Sequence, residues 1–204
     1  VSKSSVAPVF TITWPVDASS VNIDAPVPPV TEYVRTEMNR VQRFAEGDGK
    51  KRNNVGFALQ ILQRRLASSP AAIYQSLKRR RERLEAQLAE ARIEVRGRTA
   101  TFQTENISQD LIQNIEEDEI DDFEEAISAT ATSAETIDQL VIEVQTLKDL
   151  ESLALHVLGS GQDTKWSQLN RILDDDLMVD ADKNRRKLIV FTEPKDTLFY
   201  LADK

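Results

Sequence analysis

Not one of the 204 residues is a cysteine. The chain therefore forms neither a disulfide nor a thiolate metal site, and with nothing in it requiring an oxidising compartment the expected setting is cytoplasmic. A single histidine, His156, excludes two-histidine metal sites and has no evident nucleophile to serve. No apolar run approaches the roughly 18 residues that a membrane-spanning helix needs. The opening stretch from Val1 to Phe10 also lacks the basic-then-apolar layout of a secretion signal. A start at Val1 rather than Met leads us to expect a processed or excised piece. Basic charge is in deficit as well, with 26 Lys and Arg against 34 Asp and Glu and a net charge of -8. A chain that coats nucleic acid over its whole surface is excluded, so any such contact must be local.

The usual phosphate and metal signatures fail in spacing. Gly47-Asp48-Gly49-Lys50-Lys51 comes nearest to a phosphate-cradling loop, but the glycines are too close together and no hydroxyl follows the lysine. Asp118-Glu119-Ile120-Asp121 spells a magnesium-binding tetrapeptide, yet it lies in an acidic polar run instead of ending a buried strand. Asp174, Asp175, Asp176, Asp180 and Asp182 lack the glycine and closing glutamate of a calcium loop and suit a charged surface. No catalytic residue and no metal ligand is assigned.

What the chain has in abundance is helical spacing. Five prolines (8, 15, 26, 28 and 29) forbid a sustained helix in residues 1–29, which are expected to form an extended arm. Val30, Tyr33, Val34, Met38 and Val41 then share one face of a first helix. A second helix, with Asn53 or Asn54 as its cap, carries Val55, Leu59, Leu62 and Leu66 on one side and stops at Ser68-Ser69-Pro70. Ile73, Leu77, Leu84, Leu88, Ala91 and Val95 line a long third helix, about 70–97. Its return arm, about 133–158, is opened by Ser133, lined by Ile137, Leu140, Val144, Leu147, Leu150, Leu153 and Val157, and ended by Gly159 and Gly161. Between these arms the acidic segment 105–130 predicts short, solvated, mobile helices. Asp163 caps a further amphipathic helix, and Lys187-Leu188-Ile189-Val190-Phe191 followed by the pattern at Leu198, Tyr200 and Leu201 has the form of a strand-turn-helix unit. The expected fold class is mainly α: a helical bundle with a long antiparallel coiled-coil-like hairpin, plus a C-terminal strand-helix piece of an α/β lobe.

The basic run Lys78, Arg79, Arg80, Arg81 and Arg83 is a candidate nucleic-acid contact, because cations in successive helical turns can follow a phosphate backbone. The competing reading has the same arginines facing the acidic segment across the hairpin. Thr192, before the last helix, is a second candidate, since a helix N-terminus favours phosphate oxygens, although Pro194 removes one amide donor. Phe57, Tyr74, Trp166 and Phe191 fall on apolar faces and are expected to be core.

Three blocks carry a family likeness: Asn54-Val55-Gly56-Phe57-Ala58-Leu59-Gln60-Ile61-Leu62 through Ser69-Pro70 to Tyr74; Asp163-Thr164-Lys165-Trp166-Ser167-Gln168-Leu169; and Arg186-Lys187-Leu188-Ile189-Val190-Phe191-Thr192-Glu193 with Asp196-Thr197-Leu198. Together they resemble the inter-lobe region of bacterial and archaeal Swi/Snf-related helicase-like proteins. Pro194-Lys195 departs from the usual pattern there. The resemblance implies that residues 30–158 form a helical inter-lobe insertion and that 163–204 open the second RecA-like lobe. It further implies a parent that hydrolyses ATP with magnesium to move on duplex DNA, the chemistry lying outside this segment. The alternative is a coiled-coil interaction or scaffold domain with no nucleic-acid role.

Overall fold

The computed structural model describes residues 29–44, 49–97, 120–174, 178–179 and 183–204. Its elements are α1 (Pro29–Val41), α2 (Gly49–Ser68), α3 (Pro70–Gly97), α4 (Ile120–Thr130), α5 (Ile137–Ser160), α6 (Thr164–Leu173) and α7 (Lys195–Asp203). The chain is mainly helical, as the spacing predicts. The expected extended arm and residues 105–119 of the acidic segment lie outside the described residues.

α3 and α5 form the hairpin. Arg81 pairs with Glu151 and Glu85 with Lys148, while Arg92 lies beside Val141. Partners that descend along α5 as α3 ascends make the arms antiparallel. Leu77, Leu84, Leu140 and Leu147 are completely buried between them, each contributing on the order of 1.5–3 kcal/mol of transfer free energy. α2 and α4 cover α3 from other sides, adding Val55, Leu59, Leu62 and Ile127 to the same core.

Local chemistry fixes the boundaries. Pro29 and Pro70 each begin a helix, where a missing amide costs nothing. Between α2 and α3 the Ser69 hydroxyl accepts from Ala72 N at 3.1 Å, so Ser69 caps α3 at the elbow. Asp163 caps α6 as expected, accepting from Trp166 N at 3.0 Å. Gly161 ends α5 at φ 69°, a left-handed conformation that suits glycine.

Several expectations need correction. α2 starts at Gly49, one turn before Asn53. Thr136, in extended conformation (φ -132°, ψ 158°), caps α5 by accepting from Gln139 N at 3.2 Å. Ser133, expected in that role, is buried with its hydroxyl given to Glu37. The acidic stretch does not stay solvated at its end, because α4 buries Glu124, Ile127 and Ser128 against α2 and α3. The run Lys187–Phe191 joins no ladder among the described residues; the only bridge there is the antiparallel pair Val179 and Arg185. Phe191, expected in the core, is 91% exposed.

Candidate functional site

Successive residues on a helix turn by about 100°, so the run from Lys78 to Arg83 sends its cations in every direction around α3. Arg79 reaches Asp196 of α7 at 2.5 Å and Glu125 of α4 at 3.0 Å. Arg81 pairs with Glu151 across the hairpin and with Glu85 at 2.6 Å. Its guanidinium is held charged, chiefly through the hydrogen bond to Glu151. Lys78 is half-buried and Arg83 exposed. Of the cluster, these two face outward without an ion pair to a described residue. The geometry thus gives Arg79, Arg80 and Arg81 the neutralising role that competes with phosphate contact.

Arg80 is the extreme case, with no exposed side-chain surface. Its Nε donates to Tyr33 Oη at 2.9 Å, Nη1 to the Ser128 carbonyl at 2.6 Å, and Nη2 to Glu143 Oε1 at 2.9 Å. Tyr33 Oη in turn donates to Glu143 Oε1 at 2.8 Å, and the Thr132 hydroxyl donates to Glu143 Oε2. Burial alone would favour losing the guanidinium proton, but Tyr33 and Glu143 more than offset it and raise the Arg80 pKa. Burial likewise pushes the Tyr33 phenol well above its usual value. Beside this set, Glu37 accepts from Ser133 and from Arg40 at 3.0 Å. The signal for the network was present in the spacing. Glu143 falls on the Leu140, Val144, Leu147 face, Arg80 between Leu77 and Leu84, and Glu37 between Val34 and Val41.

A second cluster lies where α7 meets the α2–α3 elbow. The hydroxyls of Ser68 and Ser69 each stand 2.8 Å from Thr197 Oγ1. Lys165 Nζ donates to the Ala67 carbonyl at the end of α2, a favourable place for a cation. Arg64 pairs with Glu193 at 2.6 Å. Tyr200 Oη donates to Asp163 Oδ2 at 3.0 Å, and burial together with that carboxylate pushes its pKa up to about 12. These contacts border one groove, lined among others by Arg64, Ser69, Lys165, Trp166, Phe191 and Thr197. Thr192 also lines it. In the first turn of α7, Asp196 already supplies a negative charge to the helix N-terminus, in the place a phosphate oxygen would take.

Among the described residues no group of three or more acidic, histidine or cysteine side chains could hold a metal ion, and no helix is long and apolar enough to cross a membrane. Asp118 and Glu119 lie outside the described residues. Comparison with family models, curated proteins and solved structures finds no match.

Proposed function

We propose that this chain is the helical connector of a Swi/Snf-type helicase-like ATPase, an arm between the motor lobes that couples their movement and touches duplex DNA locally. The observation that supports this reading is the convergence of the three resemblance-bearing blocks. Asn54–Tyr74, Asp163–Leu169 and Arg186–Leu198 are scattered along the chain, yet each contributes to the groove at the elbow. A joint between a helical insertion and the opening of a second lobe would bring those segments together. In this reading ATP and magnesium belong to the parent's lobes.

The C-terminal piece adds support. Ile189, Val190, Phe191, Leu198 and Phe199 are exposed there to between 47% and 91%. So much apolar surface on a strand-like run and its helix is what the rest of an α/β lobe would cover. Within the basic run a DNA contact falls to Lys78 and Arg83, because Arg79, Arg80 and Arg81 are engaged within the fold.

The test is fluorescence anisotropy of labelled duplex DNA between about 50 and 200 mM salt. Binding should weaken as salt rises and weaken further in a Lys78→Glu, Arg83→Glu variant. Absence of binding at the lowest salt, or binding indifferent to that variant, would remove the DNA contact and favour a protein-docking arm. For that second reading the specific observation is that Ile142, Leu153 and Val157, which share one side of α5, are all exposed.

A further inference from the structure

We infer that α1 is a strap latched onto the α3–α5 hairpin by the buried Tyr33 contact and able to leave it as a unit, relaying a pull on the chain before Pro29 to the hairpin. The structure divides the attachments of α1 by chemistry. The helix rides mainly on α2, with Val30, Val34 and Val41 buried. Its hydrogen bonds towards the hairpin and the linker preceding α5 come from three polar side chains. Tyr33 bridges Arg80 and Glu143, while Glu37 and Arg40 meet Ser133.

Apolar contact yields gradually as surfaces slide, whereas a buried hydrogen bond is directional and is either made or left costly and open. That makes the Tyr33 contact a two-position element. Tyr33 lies one turn from the start of α1, so force applied at Pro29 reaches it before the rest of the helix. The hairpin can outlast its release. Glu143 keeps Arg80 and the Thr132 hydroxyl as donors when Tyr33 leaves, and Arg80 keeps Glu143 and the Ser128 carbonyl as acceptors, only its Nε–H being left open.

Release would also free the linker. Residues 131–134 are buried without helical hydrogen bonding from Thr132 onward. α1 holds Ser133 through Glu37 and Arg40, and Lys51 of α2 donates to the Ala134 carbonyl at 3.2 Å. The strap therefore sits on the joint at which α5 enters the fold.

The inference rests on the connector reading only for what supplies the pull. The latch is a property of this chain and is tested without DNA, so either can fail alone. The experiment is amide hydrogen exchange by mass spectrometry on the whole chain and on Tyr33→Phe. Tyr74→Phe serves as the control, its hydroxyl having no part in the network. In Tyr33→Phe the α1 amides should exchange on the order of tenfold faster, with those of α3 and α5 accelerated clearly less. If Tyr33→Phe does not fold, Ser133→Ala, which leaves Arg80 and Glu143 untouched, reads the same attachment by the same criterion. Equal acceleration in α1 and the hairpin, or none in α1, would overturn the latch.

Discussion

Replacing Arg80 by methionine perturbs the fold at its most buried charge. The substitution preserves much of the aliphatic stem while deleting three donors. Glu143, itself without exposed side-chain surface, is left with only the Tyr33 and Thr132 hydroxyls, and the Ser128 carbonyl loses its partner. Neutralising the arginine is no escape for the native chain, because Tyr33 and Glu143 hold its pKa above the usual value. Removing one member of a buried pair costs about 3–5 kcal/mol, against a total stability of about 5–15 kcal/mol for a typical domain. In urea, with a slope of about 2 kcal/mol per molar, the midpoint should fall by roughly 1.5–2.5 M at unchanged slope. Followed by far-ultraviolet circular dichroism, Arg80→Met should therefore be severely weakened, and adding Glu143→Leu should cost less than it does alone, the Tyr33 and Thr132 hydroxyls and the Ser128 carbonyl remaining open in the double variant. A single variant within about 1 kcal/mol of the parent, or a double variant as unstable as the sum of the two singles, would refute the account.

Thr197→Val keeps shape but removes the hydroxyl that meets Ser68 and Ser69. It should cost about 1–2 kcal/mol and change the fluorescence of Trp166 in the groove, which a urea titration read by tryptophan emission would reveal. Glu37 titrates above the usual glutamate range because burial, and next Glu143, disfavour its charge, with Ser133, Arg40 and Arg80 opposing. Its folded pKa being raised, the stability it contributes is full below the unfolded value and is lost as pH rises through the folded one. Urea midpoints between about pH 4 and 7 should thus show the parent losing ground to Glu37→Gln as pH increases. Gly56 lies inside α2 in open space, where an added methyl meets nothing within 4 Å. Gly56→Ala should raise the thermal midpoint, by an amount equivalent to roughly 0.5–1 kcal/mol.

The helices were legible because periodic apolar residues leave little choice. Ile73, Leu77, Leu84 and Leu88 occupy one face of any helix through them, and Leu140, Val144 and Leu147 form its complement. Ends were less legible, as the cap of α5 shows, which the sequence assigns to Ser133 and the structure gives to Thr136. Ser133 and Thr136 both suit the role, and the outcome turned on a long-range fact, that Glu37 of α1 takes the Ser133 hydroxyl. The fate of α4 was illegible for the same reason. Asp122, Glu124 and Glu125 mark it for water, whereas Glu124 and Glu125 are met by Arg64 and Arg79 from two other helices.

Charge is thus where the sequence left two readings open, and the ambiguity has a single physical root. A run of arginines has the same composition whether it faces phosphate or carboxylate; only the partner decides. Here the partners of Arg79, Arg80 and Arg81 come from α4, α5 and α7, at sequence separations of 46 (Glu125), 63 (Glu143), 70 (Glu151) and 117 (Asp196) residues. Apolar packing alone would let helices as similar as these slide by a turn with modest loss. A guanidinium that must satisfy Tyr33, Ser128 and Glu143 at once has only one register in which to do so. Such a network adds little net stability over an apolar isostere while penalising every shifted arrangement heavily. The connector arm we propose, if it is to carry displacement from one end to the other, needs that selectivity more than it needs additional free energy.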